Sequence, residues 1–236
     1  MRTILNFILG VPAFFRRGFC FSEASSRETP SAGTVILIHG LLMRGASMAW
    51  LEKRFSENGF RCFCYDYPTS RLGIFRHGAI LRERLTELLK TIPPEEKVFF
   101  VTHSMGGILL RVALESLAAT ELKRIAAVVM LAPPNGGSYW PERIRKFFPP
   151  VKFFNRCLPD LRHTEDSPLR KISLPKNGAF PPLCIVRGER DAKVAPEFLA
   201  LPGVPATMCS APCGHAALRH SREAFEHALD FLKRKN

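Results

Sequence analysis

The run Val101-Thr102-His103-Ser104-Met105-Gly106-Gly107 decides the fold. Upstream it continues into Lys97-Val98-Phe99-Phe100, a β-branched and aromatic stretch that predicts a buried strand over residues 97–102. Downstream, apolar residues at helical spacing predict a helix over residues 105–120. A serine on a strand-to-helix turn is held exposed above the sheet, and the tight bend demands small neighbours. The helix N-terminus adds free N–H groups and partial positive charge, which suit a developing oxyanion. Ser104 is thus the candidate nucleophile, and the Met105 N–H a candidate oxyanion donor.

Outward from this turn, short apolar runs alternate with amphipathic stretches. Strands are expected at Thr34–Ile38 and at residues 61–67, 126–131, 183–187 and 207–210, which with 97–102 makes about six. Helices are expected at residues 46–57, 80–92 and 217–233, with a short one near 196–201. Near-continuously apolar strands alternating with helices predict an α/β fold, a mostly parallel sheet with helices on both faces.

Serine is a weak nucleophile at neutral pH and needs a base, which in turn needs an orienting carboxylate. In a sheet of this type the three follow the chain order Ser, Asp or Glu, His. Asp191 lies just past the strand at 183–187, in Gly188-Glu189-Arg190-Asp191, and His215 follows the last strand, in Pro212-Cys213-Gly214-His215. Glu189 is the rival acid. His220 and His227 fall within the expected last helix, and His39 and His103 precede the acid, so these four are expected to be surface or architectural. A second oxyanion donor is expected from the loop His39-Gly40-Leu41-Leu42-Met43, where Gly40 allows a close approach and the Leu41 N–H would pair with that of Met105.

Residues 139–180 break the alternation. They hold six prolines, seven aromatics, and nine Lys or Arg against four Asp or Glu. An insertion there sits above the carboxyl ends of the strands, where ligands bind in open α/β sheets, so a cap over a pocket is expected. Residues 33–236 are expected to form one domain, preceded over 1–32 by an apolar segment and a polar linker that runs from Ser22 to Ala32. The apolar stretch Ile4 to Phe15 is shorter than the roughly 20 residues a membrane span needs. Arg16 and Arg17 close it without a small-residue cleavage site, so it is expected to be a noncleaved helix docked on a membrane surface or the core.

The composition, 46% hydrophobic and 23% charged, is that of an ordinary globular protein and excludes a disordered chain. Thirty-four Lys and Arg against 21 Asp and Glu give a net charge of +13, which favours anionic partners. The basic residues are scattered and match no nucleic-acid module, so the charge is read either as a solubilising surface or as contact with an anionic membrane, and nucleic acid is not the expected partner. Seven cysteines, several inside strand-like runs, point to reduced thiols in the cytoplasm; the alternative is a Cys209–Cys213 bridge. Cys62 and Cys64 lack partners at zinc spacing. Membrane association through residues 1–17 is compatible with a cytoplasmic location, and secretion stays open.

Five segments together resemble the α/β-hydrolase superfamily, in particular its small lipase- and esterase-like members, over residues 34–235. They are Ile36-Leu37-Ile38-His39-Gly40-Leu41, Tyr65-Asp66-Tyr67-Pro68, His103 to Gly107, Leu131-Ala132-Pro133-Pro134-Asn135-Gly136-Gly137-Ser138, and Gly188 to Val194. The resemblance implies ester hydrolysis through an acyl-enzyme with no metal or organic cofactor. Ser104 would attack, His215 would move the proton, Asp191 would orient His215, and Leu41 and Met105 would bind the oxyanion. The expected substrate is a small acyl ester or lipid. A thioesterase or acyltransferase would use the same three residues, and a noncatalytic binding protein would keep the fold without the chemistry. Two departures stand out: Thr102 occupies the usual first glycine of the turn, and the sheet is expected to begin at the family's third strand, at Thr34, as in the minimal lipases.

Overall fold

The runs at Thr34–Ile38 and Val98–His103 are buried at every position, and they lie side by side in the middle of the sheet. The computed structural model describes residues 18–23, 32–147 and 155–236; the apolar stretch 1–17 and most of the expected linker lie outside these. Seven strands form one sheet: β1 (Cys20–Glu23), β2 (Thr34–Ile38), β3 (Arg61–Asp66), β4 (Val98–His103), β5 (Ile125–Leu131), β6 (Leu183–Gly188) and β7 (Ala206–Ala211). Their spatial order is β1-β3-β2-β4-β5-β6-β7, with β1 antiparallel and the remainder parallel. Full burial of each Val, Ile, Leu or Phe in these strands contributes roughly 1.5–3 kcal/mol, so β2, β4, β5 and β6 carry the core and the half-exposed β7 forms an edge.

The six expected strands are all present, and β1 is a seventh. It corrects two expectations, that Ser22 opens a linker and that the sheet begins at Thr34. Its residues are mostly exposed, so no apolar alternation announces it. Pairing with β3 makes it: Phe21 lies 4.9 Å from the Tyr65 ring, and Arg61 donates to both oxygens of Glu23.

Six α-helices are described: α1 (Ala49–Glu57), α2 (Ile74–Leu89), α3 (Met105–Glu115), α4 (Ala119–Leu122), α5 (Trp140–Phe147) and α6 (Arg222–Lys233). α2 packs on α3, whereas α1 packs on α6 through Phe55 and Phe225, whose rings are 5.1 Å apart. Three helix ends differ from expectation, each through a distant partner or a local cap. α2 starts at Ile74, not near residue 80, because Asp160 accepts a hydrogen bond from the Ile74 N–H at 3.0 Å, capping a helix whose own N-cap is Gly73. α3 stops at Glu115, not near 120, where Lys176 N–H donates to the Glu115 carbonyl and Asn177 to the Leu117 carbonyl. The expected last helix is split: His215–His220 form a 3-10 turn, and Ser221 then caps α6 by accepting from Ala224 N–H. The short helix near residue 196 is likewise a 3-10 turn, Pro196–Phe198. All seven cysteines are free thiols, so the Cys209–Cys213 bridge is absent.

His77 is a buried base of α2 that touches the rings of Phe19 and Tyr67 at 5.5 and 5.3 Å. Neither ring nitrogen has a partner among the described residues. Burial, aided by His39, pushes its pKa down to about 4. The unfolded chain takes up this proton near pH 6.5, so unfolding binds a proton between those values and stability falls as pH drops from about 6.5 to 4. Urea midpoints followed across that window should show a loss of about 3 kcal/mol in the wild type, and His77→Leu should remove that loss.

Candidate active site

Ser104 sits where β4 ends and α3 begins, with φ 53° and ψ −124°. Such a left-handed backbone costs a non-glycine residue about 1–3 kcal/mol. It is held from both sides: Ser104 N–H donates to the Leu131 carbonyl of β5 at 2.8 Å, and its own carbonyl accepts from Gly107 N–H at 3.0 Å. The turn also depends on close approach. A Cβ on Gly106 would lie 2.5 Å from the Ile38 oxygen and 2.6 Å from the His39 oxygen, so only glycine lets α3 rest on the end of β2. Thr102 fits the bend because residue 107 is glycine; a Cβ there would come within 3.1 Å of the Thr102 Oγ1.

The acid and base come together through sheet register. β6 and β7 are parallel and paired from Leu183 with Ala206 to Gly188 with Ala211, so their carboxyl-end loops emerge side by side. The loops are stitched by Glu189 N–H to the Ala211 carbonyl and Arg190 N–H to the Cys213 carbonyl. His215 Nδ1 then lies 2.7 Å from Asp191 Oδ2, and His215 Nε2 lies 2.9 Å from Ser104 Oγ. Asp191 Oδ1 accepts from Lys193 and Val194 N–H at 2.8 and 3.0 Å. Burial opposes the Asp191 charge, but His215 and these two amides outweigh it and hold the carboxyl below its ordinary pKa. The rival Glu189 is exposed and accepts instead from Ser210 Oγ.

His103 supports this array from below. It is completely buried, and burial, with the neighbouring His215 imidazole adding to it, pushes its pKa well down, which keeps it neutral. Its Nε2 is 3.0 Å from the His215 carbonyl oxygen, so it can donate there and brace the loop that carries the base. His39 plays a parallel part in the first loop: Tyr67 N–H donates to its Nε2, and Tyr67 Oη donates to its carbonyl. His220 and His227 stand apart from the site; His220 faces Trp50, and His227 meets the Ser210 carbonyl.

Gly40 brings the first loop onto the nucleophile, since a Cβ there would lie 3.1 Å from Ser104 Cβ and 3.0 Å from His103 Nδ1. Leu41 follows directly and lines the same cavity as Ser104. The Met105 N–H belongs to the first turn of α3, which has no intrahelical acceptor. Leu42 completes the turn at φ 58°, its N–H donating to buried Thr69 Oγ1.

The cavity above Ser104 and His215 measures about 200 Å³. Trp140, Pro141, Leu158 and Leu161, all from the segment 139–180, line it, as do Leu41 and Lys193. That segment is tied to the loop before α2: Arg156 N–H donates to the Ser70 carbonyl, Cys157 Sγ to the Leu72 carbonyl, and Asp160 caps Ile74. His103, expected to be architectural, is the brace of the His215 loop; the cation at Lys193 and the partners of Asn135 escaped the sequence reading. Asn135 accepts from buried Arg111 and donates to the Leu199 carbonyl at 2.7 Å, joining α3 to the loop that follows Asp191. The motif that contains Asn135 was visible, but its partners are distant in sequence.

A sheet with one antiparallel edge, a strained serine between strand and helix, and a Ser-His-Asp array at the carboxyl ends define a hydrolase-type α/β protein. Residues 35–229 match the model of the alpha/beta hydrolase family, and the chain belongs to that family. The curated relative "Lysosomal thioesterase PPT2 homolog" of Drosophila melanogaster is 28% identical over 120 residues, covering 49% of this chain and 40% of that protein. The chain thus matches less than half of that relative's length. Among solved structures, the mature lipase BlEst2 of Bacillus licheniformis superposes with TM-score 0.67 at 16% identity, covering 90% of this chain and 98% of its own. The monoacylglycerol lipase of Paleococcus ferrophilus superposes with TM-score 0.62 at 15% identity, covering 93% and 100%.

Gly106→Ala should destabilise the protein by about 3 kcal/mol, because the added Cβ meets strand backbone that cannot move. Gly107→Ala, which meets side-chain atoms at 3.1–3.3 Å, should cost clearly less. Urea denaturation of the two variants checks the difference.

Proposed function

We propose that this chain is a serine hydrolase that cleaves small carboxylic acyl esters through an acyl-enzyme. The observation that carries the reading is the hydrogen-bonded array Ser104 Oγ, His215 Nε2, His215 Nδ1, Asp191 Oδ2, opening into an apolar cavity. Ser104 Oγ attacks the carbonyl carbon as its proton passes to His215 Nε2. The oxyanion is received by the N–H groups of Leu41 and Met105, and collapse expels the alcohol, which takes the proton from His215. Water, deprotonated by the same His215, then releases the acid and regenerates Ser104. The described residues of the segment 139–180 act as a cap that keeps the cavity apolar and narrow, through Trp140, Pro141, Leu158 and Leu161. The reaction needs no metal or organic cofactor. A volume of about 200 Å³ falls below the usual range for drug-sized ligands, which favours short acyl groups.

A thioesterase is the second reading, favoured by the printed name of the Drosophila relative. We further propose a cytoplasmic location, supported by the seven free thiols, with peripheral contact to anionic membranes through residues 1–17. No helix among the described residues is long and apolar enough to cross a membrane.

Ser104→Ala should abolish hydrolysis of p-nitrophenyl butyrate and labelling by a fluorophosphonate, with an unchanged circular dichroism spectrum. Asp191→Asn should lower kcat on the order of 10³–10⁴-fold, whereas Glu189→Gln should change it less than about twofold, since an exposed residue away from the base has no part in catalysis. A wild type inert to esters of every chain length and to the fluorophosphonate sinks the proposal. Comparing butyrate with palmitate esters, and oxygen with sulfur esters of one acyl group, tests chain length and separates the two readings. Salt-sensitive binding to anionic liposomes, but not to DNA, is the expected membrane result.

A further inference from the structure

The cavity over Ser104 is apolar except for the reacting groups, Ser138, His103 and one cation. Lys193 is the sole Lys, Arg, Asp or Glu that lines it among the described residues. Its backbone is fixed at both polar atoms: the N–H donates to Asp191 Oδ1 at 2.8 Å, and the carbonyl accepts from Ser138 Oγ at 2.5 Å. Its ammonium lies over the Trp140 indole, 4.5 Å from the ring centroid, in a geometry that attracts a cation to the ring face.

Among the described residues, this ammonium has no counter-ion: no carboxylate lies within ion-pair distance of it. The acidic groups near its two neighbours are engaged elsewhere: Asp191 with His215, Glu142 with His163, and Glu197 with the Tyr139 hydroxyl. The adjoining stretch 148–154 contains no Asp or Glu. A half-buried ammonium on an apolar wall loses hydration that only an anion restores in full. Aromatic and backbone contacts hold the side chain in place without neutralising it.

We propose that Lys193 is a specificity residue that selects acyl esters carrying an anionic oxygen group, a carboxylate or a phosphate, within its reach. This rests on the ester-hydrolase reading above and deepens it. The anion would sit either on the acyl chain or on the leaving group, and the two sources call for separate substrates.

Two matched pairs test this. One compares a p-nitrophenyl ester of a diacid, its far carboxylate free, with the methyl-capped neutral form. The other compares a monoacylglycerol 3-phosphate with the monoacylglycerol of the same short chain. In at least one pair, kcat/KM for the anionic member should exceed that for the neutral member about tenfold to a hundredfold, the span of a charge-assisted hydrogen bond. The preference should act mainly through KM and shrink with added salt. The ratio should fall to near one in Lys193→Met, drop below one in Lys193→Glu, and be largely kept in Lys193→Arg. A wild-type ratio near one in both pairs, or a ratio unchanged in Lys193→Met, overturns the proposal while leaving ester hydrolysis standing. Failure to hydrolyse any of the four substrates, with no fluorophosphonate labelling, instead overturns the hydrolase reading on which it rests.

Discussion

The N-terminus of α3 rests on the end of β2 so closely that no side chain fits between them, with a Cβ at Gly106 falling 2.5 Å from the Ile38 oxygen. Much of the site follows from that contact. It forces the chain to reverse within one residue after β4, and the strain falls on Ser104 at φ 53°. The reversal lifts the Ser104 side chain out of the sheet and leaves the first N–H of α3 unpaired beside it. Because the helix touches β2, the loop that leaves β2 must pass the same point, and Gly40 lets it do so at contact distance from Ser104. Two loops from neighbouring parallel strands therefore meet around one oxygen, with no long-range signal needed beyond three glycines and a serine.

The strain is stored in a part of the molecule that can bear it. β2, β4 and β5 are buried throughout or nearly so, and the amide of Ser104 continues the ladder onto Leu131. A penalty of about 1–3 kcal/mol at one residue is small against the burial of some fifteen apolar strand side chains at roughly 1.5–3 kcal/mol each. His103 occupies the layer between that core and the reacting groups. Neutral and desolvated, it transmits the position of β4 to the His215 loop through one hydrogen bond. Ser104 and the brace of the His215 loop are thus consecutive residues at one strand end.

The same contrast explains what the sequence could and could not tell. Buried parallel strands are written as unbroken apolar runs, so Thr34–Ile38, Val98–His103 and Leu183–Gly188 were legible almost to the residue. Ser104 directly follows such a run, whereas Asp191 and His215 lie just past the ends of β6 and β7, and their chain order is what allowed the three to be proposed together. Illegible features depend on partners far along the chain. β1 exists through Tyr65 and Arg61, the start of α2 through Asp160 at a separation of 86 residues, and the end of α3 through Lys176. The charge of residues 139–180 is visible, yet not that, among the described residues, the cation on the cavity wall is Lys193, which lies outside that segment.

This last point bears on how such a site acquires selectivity. Asp191 requires a short, tightly hydrogen-bonded turn after β6, since its Oδ1 is held by the amides of Lys193 and Val194. The turn that orients the acid therefore also fixes where the Lys193 side chain begins. Trp140, from the cap-like segment, decides where it ends. On the proposed reading, the orientation of Asp191 and the selection of substrate charge share one backbone turn, and a second element places the end of the Lys193 side chain. Changes in the segment around Trp140 can move the ammonium without disturbing Asp191, whereas changes in the turn itself cannot move one without the other. If Ser104, His215 and Asp191 react as proposed, new substrate preferences arise from the segment around Trp140, while those three residues stay as the sheet places them.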